Sequence, residues 1–151
     1  MLALTKASGY GILALGYLDE KPEDTVVSTR EISEVFGMPS ELLAKVLQRL
    51  SKRGLLKSHQ GRGGGYSLAR PINAISLTEV FEAIEGPIEI SVCLKEGGEE
   101  HCDMFEYCTI KAPIEQVQNR LIELFNTIMV DQITLDMLEC PEKTYLSTSR
   151  A

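Results

Sequence analysis

Three cysteines, Cys93, Cys102 and Cys108, share the short stretch "SVCLKEGGEEHCDMFEYCTIK" at spacing C-x8-C-x5-C. Thiolates are soft donors that suit iron–sulfur clusters or zinc. Three of them in one glycine-containing loop can converge on a single centre. No C-x2-C pair is present, so the ordinary zinc-finger signature is missing and zinc ranks second. His101 is the nearest nitrogen donor for a fourth position, but it adjoins Cys102, and so short a segment strains simultaneous binding. Glu106, Asp103, a residue of a second subunit or a small molecule are the other choices. Cys140 stands apart, next to Pro141, and is left out of the set. The bland alternative is three adventitious cysteines.

A second stretch, "KSHQGRGGGYSLARP" at residues 57–71, gathers glycine and positive charge. A phosphate-binding loop is the first chemistry to test. The pattern G-x-x-x-x-G-K-[ST] is absent. The pattern G-x-G-x-x-G fails too, because from Gly61 the third glycine falls on Tyr66 and from Gly63 on Leu68. The loop also leads into "YSLA", a strand pattern, instead of a helix. What remains is a hairpin tip. Glycine meets a positive-φ turn without strain, yet one or two would normally suffice. Gly61, Gly63, Gly64 and Gly65 together predict a thin tip from which Arg62 projects, in the way an arm enters a DNA minor groove.

The whole chain is acidic, with net charge −7 over 151 residues. That average hides a basic block: residues 40–70 carry seven basic groups against Glu41 alone, net +6, while residues 71–151 are net −10. Such a block predicts a local anion-binding surface. Its bland reading is a solvated helix face. Hydrophobic residues make up 44% of the chain, enough for a core. No apolar run approaches the ~20 residues of a membrane helix, and the N-terminal stretch reads as an amphipathic helix, not a signal peptide. A cytoplasmic protein with reduced thiols is therefore expected.

These residues must be positioned by surrounding elements. A first helix is expected over about residues 4–20. "STREISEVFG" predicts a short helix opened by a capping box of Ser28 and Glu31, with an apolar face of Ile32, Val35 and Phe36 and a stop at Gly37. In "GMPSELLAKVLQRLSKRG", Ser40 reads as N-cap and Gly54 as stop. Leu43, Val46, Leu47 and Leu50 share one side of this helix; Glu41, Lys45, Gln48 and Lys52 share the other. Helix, turn, helix and hairpin make a winged helix-turn-helix. "ISLTEVFEAIEG" predicts another helix, with a capping box of Ser76 and Glu79 and an end at Gly86. Residues 87–110 read as a loop. A long helix is expected from about residue 111 to Met129, with a seam of Ile114, Val117, Leu121, Leu124 and Ile128 and a second stripe of Ile122, Phe125 and Met129. One stripe would face the chain's own core and the other a second subunit. The fold class is thus mainly α with one small β-hairpin. Its expected divisions are a DNA-binding domain over residues 1–86, a cysteine loop over 87–110, a dimerisation region over 111–138 and a tail over 139–151.

Roles on DNA follow from position. Glu41, Lys45 and Gln48, with Ser40 at the helix start, are candidates to meet base edges. Arg49, Lys52, Arg53 and Lys57 are placed for phosphates. His59, Gln60 and Arg62 belong to the wing.

"LTKASGYGILAL", "REISEVFGMPSELLAKVLQRLSKRGLL", "GRGGGYSLARP", "ISLTEVFEAIEGP" and the three-cysteine loop together resemble the Rrf-two-type winged-helix transcriptional regulators, the group containing IscR, NsrR and RirA. The resemblance covers about residues 1–138 and is strongest to the branch regulating iron–sulfur cluster assembly. It implies a cytoplasmic homodimer that binds a palindromic operator in double-stranded DNA. It also implies a 2Fe–2S or 4Fe–4S cluster on Cys93, Cys102 and Cys108, whose loss, exchange or nitrosylation changes DNA affinity. Two departures bear on the fourth ligand. A histidine expected three residues after the last cysteine is here Lys111, and an aspartate near the start of the first helix is replaced by Ala7, Ser8 and Gly9. Three alternatives stand beside this reading: a zinc- or thiol-based redox-sensing repressor of the same fold, a cluster-carrying redox protein, and a winged helix used only for protein contacts. No nucleophile–base set points to an enzyme.

Overall fold

Thr5 accepts the Ser8 N–H at 3.2 Å and starts the first helix, α1, Lys6–Asp19. This computed structural model describes the backbone of residues 4–138 and the side chains of residues 4–134. Along α1, Ser8, Gly11, Ile12, Leu15 and Leu18 recur at helical spacing and are buried. They form the floor of the core. A bend through residues 20–26 leads to α2, Thr29–Phe36, and α3, Ser40–Lys52.

Both of these helices start differently from expectation. On α2, Ser28 does accept the Glu31 N–H at 3.1 Å, which is half of the box. The Glu31 carboxylate does not turn back to the cap; Tyr17 donates to it at 2.8 Å and Lys21 lies 3.6 Å away. On α3 the N-cap is Pro39, and Ser40 is the first helical residue with no capping bond. Ser40 Oγ instead meets Ser33 Oγ at 2.9 Å, and Ser33 donates to the Met38 carbonyl at 2.6 Å. That part-buried hydroxyl pair stitches the turn between the helices. The apolar face of α2 is also narrower than its sequence suggests. Ile32 is fully buried and Phe36 stacks edge-on against Tyr17, but Val35 is 53% exposed. Gly37 ends α2 in the left-handed conformation, as expected.

Leu43, Val46, Leu47 and Leu50 all turn into the core. Strand β1, Leu56–His59, and strand β2, Gly65–Leu68, pair antiparallel, with Leu56 opposite Leu68 and His59 opposite Gly65. Val27 adds a short third rung: its N–H and carbonyl exchange bonds with Tyr66, both at 2.9 Å. The wing is thereby tied to the segment just before α2.

Helix α4, Leu77–Glu85, carries the complete capping box of Ser76 and Glu79. Residues 87–110 form a loop with three single turns of 3-10 helix. Helix α5 spans Lys111–Thr127 and α6 spans Val130–Leu138. The long helix therefore ends before Met129. Ile128 is extended, its carbonyl accepts the Leu77 N–H at 2.8 Å, and Val130 N–H donates to Ile75 at 2.9 Å. The start of α4 captures this backbone and interrupts the helical period. The two apolar stripes are also partitioned otherwise than expected. Leu121, Ile122, Phe125 and Ile128 all pack on the core, while Val117 and Leu124 of the seam are each 54% exposed. Phe125 stacks on Phe81 with centroids 5.5 Å apart, which fixes α5 against α4.

Candidate nucleic-acid interface and cysteine loop

The open side of α3 carries Ser40, Glu41, Lys45, Gln48 and Lys52, all exposed. They are brought together because the opposite side of the helix is consumed by the four buried aliphatics. Among the described residues, Lys45 and Lys52 form no ion pair, so this face presents free donors.

Three further basic side chains divide into two groups. Arg49 lies one residue on from Gln48, a rotation of ~100°, and its guanidinium donates to the Ile84 carbonyl at 2.6 Å. Arg53 lines a cleft of about 120 Å³ with Leu55, Glu79, Glu82 and Ala83. Both arginines therefore flank α4. Lys57, on β1, faces Asp24 at 3.8 Å in an exposed pair, which water and salt weaken. Asp24 holds a left-handed backbone, φ 61°. The partnerships of Arg49 and Lys57 were invisible in the sequence, since both partners are distant along the chain.

At the wing, Gly61 and Gly63 have φ of 91° and 73°, and exposed Arg62 sits between them. Gly64 and Gly65 serve a different need. A Cβ on Gly64 would lie 2.6 Å from the His59 carbonyl, and one on Gly65 would collide with the Val27 carbonyl. Each glycine of the run thus has a structural reason within the fold. His59 meets Ser67 across the strands at 2.9 Å. With Gln60, Ser58 and Thr29, it lines an open cleft of about 330 Å³ between the wing and the start of α2. Thr29 escaped the sequence reading; its place directly after the Ser28 cap was the available clue.

The cysteine loop follows α4, leaving it at Gly86. Cys93, Cys102 and Cys108 are free and half-buried. Ser91 Oγ lies 3.2 Å from Cys93 Sγ. Gly98 packs so closely on the turn holding Cys93 that a Cβ there would strike the Val92 carbonyl. His101 is exposed, with Nδ1 3.2 Å from the Gly97 carbonyl, on its own turn. Lys111, at the position where the resemblance expected a ligand, spans the loop: its ammonium lies 3.9 Å from the Phe105 ring centroid and 3.7 Å from Glu99. Lys95 similarly faces Glu89 at 3.9 Å. The donor set suits a thiophilic centre in its chemistry. Among the described residues, however, no three His, Cys, Asp or Glu side chains converge tightly enough to hold a metal ion. Closing the thiols on a shared centre requires the loop to rearrange. Cys140 lies outside the described residues. No described helix is long and apolar enough to cross a membrane.

Comparison with known proteins adds two findings. The sequence matches, over residues 4–136, the family described as "Rrf2: Iron-dependent Transcriptional regulator". The fold resembles T. potens IscR at 23% identity and TM-score 0.66, covering 95% of each chain. It also resembles CymR (YrzC), the global cysteine regulator of B. subtilis, at 20% identity and TM-score 0.64, covering 90% of this chain and 98% of that one. A protein from Lactobacillus plantarum superposes with TM-score 0.68 at 16% identity, over 89% of this chain and 91% of its own.

Proposed function

The chain belongs to the Rrf2 family of transcriptional regulators, and from that premise we propose that it is a homodimeric sensor that binds operator DNA and holds an iron–sulfur cluster on its cysteine loop. The observation that carries the DNA reading is the uncovered side of α3. Lys45 and Lys52 stand there beside Glu41 and Gln48, in the element that a winged helix lays in the major groove. Ser40, Glu41, Lys45 and Gln48 meet base edges. Lys52, Arg53 and Lys57 meet phosphates, with Lys57 leaving Asp24 to do so. Arg62, with His59 and Gln60, follows the adjacent groove. The operator is palindromic, because two-fold related recognition helices read two half-sites one DNA turn, ~34 Å, apart.

The sensing reading rests on the three half-buried free thiols. Cys93, Cys102 and Cys108 are the cluster ligands, and the fourth ligand is open; with Nδ1 at the Gly97 carbonyl, His101 would offer Nε2. The cluster supplies a redox- and nitric-oxide-sensitive cationic core. Around it lie Glu96, Glu99, Glu100, Asp103 and Glu106, whose mutual repulsion in the empty loop would be relieved by that core. The regulated genes are those of iron–sulfur cluster assembly, and the protein works in the cytoplasm. A second reading, a thiol- or zinc-based redox sensor, draws support from the thiols standing apart and from the hydroxyl of Ser91 beside Cys93.

Anaerobic purification followed by native mass spectrometry separates these readings. A dimer carrying iron and sulfide is expected. A dimer that stays iron-free after anaerobic reconstitution would leave the thiol or zinc reading in its place.

A further inference from the structure

We propose that Arg49 is a clasp joining the recognition helix to the root of the cysteine loop, and not a phosphate contact. The last carbonyls of a helix have no partner within it. At the end of α4, Gly86 N–H takes the Glu82 carbonyl at 3.2 Å, and Arg49 takes the Ile84 carbonyl at 2.6 Å. A guanidinium at a helix C-terminus is also favoured by the helix dipole. The same end of α4 is held from α1. Ser8, fully buried, donates to Glu85 at 2.9 Å, Thr5 donates to the same oxygen, and the tip of the Ile84 side chain packs over Gly11.

The residue after Glu85 is Gly86, φ 90°, the turn into the loop. Beyond it Ile88 re-enters the core at 5% exposure, and Ile90 N–H donates to Gln118 of α5 at 3.0 Å. A rearrangement that gathers the thiols pulls on this root. Through Arg49 that pull reaches α3 directly, one residue from Gln48 on the open face. By linkage, whatever repositions α3 on DNA must act back on the loop root by the same free energy. The consequence for sensing rests on the proposed DNA-binding function; the clasp itself does not.

Arg49→Met removes the donors while keeping side-chain length, and Arg49→Lys keeps the cation and one donor type. In the free protein, amide exchange at Glu85, Gly86 and Ile88 should rise about tenfold in Arg49→Met and be mostly restored in Arg49→Lys. Operator titrations over several salt concentrations should show an unchanged salt slope in Arg49→Met. The difference in operator affinity between iron-loaded and iron-stripped protein should collapse in the same variant. If Arg49→Met is too unstable to purify, Arg49→Gln, which is uncharged and shorter than arginine, carries the same readouts, with a rise of about threefold or more. Unaltered exchange in the uncharged variant overturns the clasp. So does a salt slope that falls by about one, which marks a lost phosphate contact. If wild-type protein binds no operator, the DNA reading fails and the exchange measurement alone decides the clasp.

Discussion

Gly65 and Gly61 lie four residues apart in one tip and should respond differently to the same substitution. A methyl on Gly65 strikes the Val27 carbonyl, which is paired with Tyr66 and cannot withdraw without breaking that rung. Gly65→Ala should therefore cost about 2–4 kcal/mol, read as a lowered Tm. Gly61 has open space around it and only a positive φ to lose, so Gly61→Ala should cost about 1 kcal/mol. The hairpin tip was legible in "GRGGGY", but the reason for so many glycines was not, because Val27 is far away in sequence. Arg62 and Lys52 are tests of DNA contact at the same scale. Each Ala variant should weaken operator binding, and each should lower the salt slope by about one. Loss at Lys52 should be nearly equal for all DNA sequences. Unchanged affinity and slope in both would remove these residues from the interface.

Helix α4 packs on α3 and leads into the cysteine loop, so its own stability matters at the element scale. Its N-terminus is locked by Ser76 and Glu79, with Arg70 bonded to the same carboxylate. Burial alone would push Glu79 upward, but the Arg70 guanidinium and the N–H and hydroxyl of Ser76 together outweigh it and hold the carboxyl below its ordinary value. A depressed carboxyl stabilises the fold above its unfolded pKa, and that contribution is lost as pH falls through the folded one. Stability should thus begin to drop below about pH 4.5, and Glu79→Gln should remove part of that dependence. Ser76→Ala should cost about 1 kcal/mol by thermal unfolding. This box was legible because Ser76 and Glu79 satisfy each other locally. The matching pattern at Ser28 and Glu31 was only half right, since Tyr17 and Lys21 compete for Glu31 from α1. The break after Thr127 was not legible at all. Residues 128–129 continue an apolar helical period without glycine or proline, and only pairing with Ile75 and Leu77 draws them out.

At the scale of the whole molecule, the charge asymmetry and the winged architecture were both readable from sequence, since basic spacing and turn chemistry are local. What periodicity could not assign was the division of α5 between core and surface. The heptad seam splits, with Leu121 inward and Val117 and Leu124 outward at 54% exposure each. If a second copy covers those two, Val117→Glu with Leu124→Glu should convert the dimer to monomer in sedimentation, with the monomer still folded. The operator affinity should then fall steeply, because one recognition helix alone reads a half-site. The central claim is that the state of the cysteine loop is read out by α3 on DNA. Operator titration of iron-loaded and iron-stripped protein, side by side with the Cys93→Ala protein, tests it most directly. The loaded and stripped forms should differ in affinity by about tenfold or more, the range of a typical coupling free energy, and Cys93→Ala should behave as stripped protein whether or not iron is offered. Equal affinity of loaded and stripped protein for every candidate operator would contradict it.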